Sequence, residues 1–217
     1  MDDNMVWAAV DRRRADIADY LEALPPGEWD HDSLCEAWTV REVAAHLTLV
    51  GLPRWRLVPL FLRYPGSTNR VIRDGSKAVA RGLTNELIVA AIRDMIGLHR
   101  PFPGLTCREA LIDVVGHTQD MTLPLGREVP IPPVEIAEAA DRVVSYGGRG
   151  SAKVFRALPT GGLRLVADDH DWTTGEGEPV TGSMRDLFLL LTGRTVHLDR
   201  LAGAGADRLR EQAAARR

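Results

Sequence analysis

The chain has 217 residues, enough for one large domain or for a domain with a smaller appendage. At 45% hydrophobic and 26% charged residues it has the composition of an ordinary soluble globular protein. Its 27 basic residues are interspersed with 30 acidic ones, for a net charge of -3, so neither a nucleic-acid footprint nor an anionic membrane surface is indicated. No stretch approaches the ~18 consecutive apolar residues of a membrane span. The first residues, MDDNMVWAAVDRRR, are acidic where a signal peptide would be basic, and the expected compartment is the cytoplasm. Cys35 and Cys107 are too few for a disulfide framework or an all-thiolate metal site.

The first half reads as helices. Val6, Trp7, Val10, Ile17, Tyr20, Leu21 and Leu24 recur at helical spacing until Pro25 and Pro26 stop them. Arg12, Arg13 and Arg14 in this segment are offset by Asp11, Asp16 and Asp19, the pattern of a solvated helix face. The loop GEWDHDSLCEAW leads into TVREVAAHL, which opens with a capping box, Thr39 to Glu42. Val40, Val43, Ala44, Leu47 and Val50 form its buried stripe, and at ~100° per residue His46 falls at the edge of that stripe. The run WRLVPLFLRY at 55–64 is apolar enough to continue the helix beyond a kink at Gly51 and Pro53. Residues 69–82 look amphipathic, and Thr84 caps a further helix ending near His99.

A second capping box, Thr106 to Glu109, starts a helix running to about Met121, and VEIAEAADRVVSY is the last helix of the series. GGRG at 147–150 marks a composition break. Beyond it GLRLVADD alternates as a strand, EPVTG can pair back on it, and SMRDLFLLLTGR is a buried helix. The expected architecture is mainly α: a helical bundle over 1–148, then a small α+β domain over 149–217.

One constellation carries chemistry. Asp113 and His117 stand four residues apart, so they share a helix face at the edge of its apolar sector. With His46 from another helix they make a two-histidine, one-carboxylate set suited to a divalent ion with open positions. Taken singly, each has a plainer reading: His46 as a core histidine on a carbonyl, the Asp113–His117 pair as a salt bridge. Asp120, three residues after His117, is a rival carboxylate. His31 and His170 lie in acidic loop contexts, His99 ends a helix, and His197 has no evident partner. Cys35 shows no base partner and reads as loop packing.

SLCEAWTVREVAAHL, DVVGHTQDMTLPLG and DDHDWTTGEGEPVTGSMRDLFLLLTGR, spread in order over residues 33–200, resemble the mycothiol-dependent maleylpyruvate isomerase family within the DinB-like metal-binding superfamily. The resemblance implies a DinB-like four-helix bundle with a small C-terminal α+β domain. It implies a divalent metal, zinc by family habit, held by His46, Asp113 and His117; the isomerase itself is thought to use a glutamate at the position of Asp113. It implies mycothiol, a low-molecular-weight thiol of actinobacteria, as co-substrate. The reaction would be addition or transfer of that thiol to a small electrophile, or cis–trans isomerisation of one such as maleylpyruvate. Arg194, in LTGR, is the candidate for gripping a substrate carboxylate, with a helix C-terminal cap as its alternative. The partners implied are a small thiol and an electrophile, in a monomer or homodimer. The rival of another class is a non-catalytic DinB-like protein that binds a metal or a small ligand.

Overall fold

The computed structural model describes residues 1–52, 68–101, 104–148, 154–155 and 157–215. The apolar run at 55–64 lies outside them. The chain divides into two compact units, 1–130 and 131–217.

In the first unit α1 (Asp3–Glu22) is capped by the Asp2 carboxylate, which accepts from the Met5 amide at 2.8 Å. It buries Val6, Val10, Ile17 and Leu21 at 1% exposure or less. Each such side chain contributes ~1.5–3 kcal/mol of hydrophobic stabilisation. α1 packs on α4 (Asn85–Arg93) and α5 (Cys107–Thr122). α2 (Val40–Thr48) packs on α3 (Thr68–Gly82), α4 and α5. Both capping boxes form: Thr39 N donates to Glu42 at 3.1 Å, and Thr106 N to Glu109 at 2.7 Å. They fix where α2 and α5 begin, and therefore which residues face the core.

Arg13 and Arg14 depart from the solvated face that their neighbours suggest. They are only 6% and 3% exposed. Arg13 Nη1 donates to Pro130 O at 2.7 Å, and its Nη2 pairs with Asp16 at 2.8 Å. Arg14 Nη1 reaches Met95 O at 2.5 Å and Leu98 O at 3.2 Å, in the turn that follows α4. A buried guanidinium persists only with several acceptors around it, and the carbonyls left over beyond a helix C-terminus supply them.

The second unit begins before the composition break at GGRG. α6 (Pro133–Ser145) belongs to it because α6 packs on α7 (Met184–Leu191), and Trp172 Nε1 donates to Asp141 at 2.7 Å. The division thus falls in the proline-rich PLGREVPIPP connection. Three short strands form a sheet in the order β2-β1-β3, with β1 Leu163–Ala167, β2 Thr173–Gly175 and β3 Glu178–Gly182. EPVTG does pair with β1, but in parallel, while β2 supplies the antiparallel partner. Only glycine permits the tight passage between β2 and β3. Gly175 and Gly177 sit at φ of 76° and 117°, and a Cβ at either would run into the carbonyl oxygens of Leu163 and Gly162.

α7 buries Met184, Leu187, Phe188, Leu189, Leu190 and Leu191 and packs on the sheet, α6 and the following segment, with Asp186 buried among polar partners in its first turn. α8 (Ala204–Ala214) closes against β3. The fold class is the expected one, a mainly α helical bundle with a small α+β unit after it in the chain.

Candidate metal centre

α2 and α5 bring His46, Asp113 and His117 together. One ligand atom from each lies within 4.8 Å of the others. The His46 and His117 rings stand nearly perpendicular, 84° apart, with centroids at 5.0 Å, and Trp38 closes the other side of His46 edge-on at 5.4 Å. The four-residue spacing in α5 places Asp113 one turn before His117.

Each imidazole is held through Nδ1. Ser76, fully buried in α3, spends its hydroxyl proton on Ile72 O at 2.7 Å, so its oxygen accepts from His46 Nδ1 at 3.2 Å. His46 is therefore the Nδ1–H tautomer, with the Nε2 lone pair available. His117 Nδ1 donates to Asp120 Oδ2 at 2.9 Å. Asp120 is wholly buried, and the same oxygen accepts from Cys35 Sγ at 3.1 Å. Both inward carboxylates of α5 thus come close to His117, Asp113 one turn before it and Asp120 bonded to its Nδ1. Carboxylate and hydroxyl partners on Nδ1 are the usual supports of histidines that bind a metal through Nε2.

The two imidazoles differ in charge. Burial lowers the pKa of His46 to about 3, reinforced by the positive charge of His117 and only partly offset by Asp120. Burial also acts to lower that of His117. There the hydrogen bond to Asp120 prevails, with further help from Cys35, and the pKa rises to about 10. At neutral pH and without a metal, His46 is neutral and His117 is an imidazolium paired with Asp120.

The donor set fits a divalent ion: two imidazoles and one carboxylate, the chemistry of zinc sites that retain an open position. Asp113 also lines a small apolar pocket with Arg14, Ile17, Leu47, Val50, Ile92, Met95, Ala110 and Val114.

Residues 10–96 match the family model described as "Mycothiol maleylpyruvate isomerase N-terminal domain". The match contains His46 and Ser76, while Asp113, His117 and Asp120 follow in the same unit. No curated protein matches the chain. Two solved structures do: a mycothiol-dependent maleylpyruvate isomerase at 14% identity, and a histidine-to-alanine mutant at 13%. Each aligns over 95% of this chain and 94% of that one with a TM-score of 0.62, so the fold is shared over both units.

The other candidates have partners of their own. Arg194 follows α7, where its Nη1 donates to Thr192 O at 2.7 Å and its amide to Leu189 O at 2.8 Å, the bonds of a C-terminal cap. His197 does have a partner: its Nδ1 bonds Asp186 Oδ1 at 2.6 Å, and Ser183 caps α7 while donating to Asp186 Oδ2 at 2.8 Å. His99 stacks on Trp7 at 5.0 Å and bonds Asp11. Cys35 is not mere loop packing, since its sulfur adjoins Asp120 and His117. Its acidic partner comes from 85 residues away, and no spacing rule announces that. Ser76 was equally silent. Asp120 carried a signal, as the i+3 neighbour of His117.

Proposed function

We propose that the protein is a metal-dependent enzyme that uses mycothiol, or a thiol of that type, against a small electrophile. The observation that carries this reading is the convergence of one ligand atom each from His46, Asp113 and His117 within 4.8 Å, while both Nδ1 atoms also have hydrogen-bond partners. The match of residues 10–96 and the shared fold support it. His46, Asp113 and His117 would hold a divalent ion, zinc by the chemistry of the set, and such an ion favours a bound thiol as thiolate.

The chain's own residues supply the rest. Ser76 and Asp120 engage the two Nδ1 atoms and fix the ring orientations, so the rings need not turn when the ligands engage and only the Nε2 proton of His117 has to leave. Thiolate addition to an activated double bond places charge on the substrate's carbonyl or carboxylate oxygens. Arg194 is the residue we assign to a substrate carboxylate, which a guanidinium grips with two parallel bonds. Addition, rotation and elimination would isomerise a cis alkene such as maleylpyruvate. Addition without elimination would be a transferase reaction.

The test is a panel of electrophiles, maleylpyruvate included, assayed with mycothiol and with glutathione as control. Zinc-loaded protein should consume mycothiol with at least one of them, and His46→Ala should abolish this while leaving the circular dichroism spectrum unchanged. Metal-independent turnover, or no thiol consumption despite bound metal, would instead assign the protein to metal or ligand binding without catalysis.

A further inference from the structure

The proposed centre leaves unused the Cys35 thiol, 3.9 Å from His117 Nδ1. Its loop is tied to the α5 segment that carries His117 and Asp120. Leu34 N donates to Asp120 O at 3.1 Å, and Ser33 Oγ bonds both the Cys35 amide, at 3.1 Å, and Trp38 O, at 2.8 Å. The sulfur is therefore placed by backbone bonds. It is partly exposed, while Asp120 behind it is fully buried.

Cys35 Sγ, His117 Nδ1 and Asp120 Oδ2 form a small triangle. Its edges are 3.9 Å from sulfur to nitrogen, 3.1 Å from sulfur to oxygen and 2.9 Å from nitrogen to oxygen. A tetrahedral zinc-like ion, with metal–sulfur bonds of ~2.3 Å and metal–nitrogen or –oxygen bonds of ~2.0 Å, would set these edges at ~3.6, ~3.6 and ~3.3 Å. Each observed edge lies within about 0.5 Å of that requirement, a shift that side-chain torsions can absorb.

We infer that Cys35, His117 Nδ1 and Asp120 form a second cation position, back to back with the His46–Asp113–His117 set and sharing the imidazole of His117. Its donors, one thiolate, one imidazole and one carboxylate, select zinc, cadmium, cobalt or another ion that accepts sulfur, whereas the first position has no sulfur donor. A cation entering there replaces two protons, one from the thiol and one from Nδ1, and both go to solvent. Metal–sulfur, metal–nitrogen and metal–oxygen bonds form, and nothing is oxidised or reduced. His117 then serves one ion through Nε2 and the other through Nδ1. The inference concerns the proposed metal centre but does not depend on its thiol chemistry.

The experiment is titration of the full chain, purified without a histidine tag, with Co2+ and separately with Cd2+. Stoichiometry is read by equilibrium dialysis and sulfur ligation by the near-ultraviolet charge-transfer band. Wild type should bind two ions per chain and show the sulfur band. Cys35→Ser should bind one ion and lose the band, and Cys107→Ser should behave as wild type. His46→Ala should lose the nitrogen–oxygen position yet keep the band, so the two positions fail separately. A single equivalent in wild type without a sulfur band would overturn the inference and leave Cys35 as a hydrogen-bonding support of Asp120. Persistence of the band in Cys35→Ser would overturn it equally.

Discussion

His117 Nδ1 and Asp120 Oδ2 are 2.9 Å apart, and the carboxylate holding this ring is fully buried three residues further along the same helix. Removing its charge while keeping its shape, in Asp120→Asn, allows the amide to turn its NH2 group toward Nδ1 and disorient the ring. Metal affinity should fall ~10–100-fold, the range for loss of such a support, as measured by competition with a chromophoric chelator. Asp120→Ala should also lower the melting temperature, because the proton on His117 Nδ1 is left without its acceptor.

Ser76 makes the corresponding contact to His46 from α3. Ser76→Ala removes the acceptor for Nδ1–H, and either tautomer then becomes accessible to the ring. The expected outcome is about tenfold weaker metal binding with the bundle intact, and recovery in Ser76→Thr, whose hydroxyl can repeat the bond. Equal affinity in Ser76→Ala and wild type would show that Trp38 packing alone orients His46.

The two histidines give the metal-free protein a defined pH dependence. His117, with its pKa raised from 6.5 to about 10, contributes stability that is fully present below about pH 6.5 and lost as pH rises through about 10. His46, lowered from 6.5 to about 3, resists protonation in the folded state, so its contribution is lost as pH falls from about 6.5 toward 3. The part of the melting-temperature profile that depends on these two residues should therefore peak near neutrality. A second consequence concerns metal uptake. At neutral pH the first ion displaces a proton from His117 and none from His46, so about one proton per ion should appear in calorimetry run in buffers of different ionisation enthalpy.

Much of the site was legible because it follows local rules. The capping boxes at Thr39 and Thr106 set the phase of α2 and α5, and that phase puts His46, Asp113 and His117 at the inner edges of their helices. What was illegible is long-range. Ser76 lies 30 residues from His46, and Cys35 lies 82 from His117, so neither contact has a periodicity to betray it. Arg13 and Arg14 looked solvated because charge balance with nearby aspartates is satisfied equally on a surface or in a buried network. The strand pairing of EPVTG was foreseeable, but its direction depends on the glycine passage at 175–177, which a hydrophobic pattern does not encode. α6 reads as the last helix of the series before the break at 147–150, and its packing on α7, about 50 residues further along, is again a long-range contact.

Asp113 offers the last test, since its arm is one methylene shorter than the glutamate expected at this position from the family resemblance. The side chain stands between the two histidines and an apolar pocket whose walls include Leu47, Val50, Met95 and Val114. Met95 is an adaptable wall, because an unbranched thioether repacks at little cost. Asp113→Glu should therefore be accommodated with a stability loss below ~1.5 kcal/mol, at the mild end for an added methylene in a core. It should still bind metal, because the longer arm recovers its reach by folding toward the pocket. Asp113→Asn, nearly identical in volume, keeps the packing but lacks the negative charge, so its affinity should drop by at least tenfold with little change in melting temperature. The pair separates ligation from packing. If Asn matches wild type in chelator competition, Asp113 is not a ligand, and the third donor must come from elsewhere in the chain.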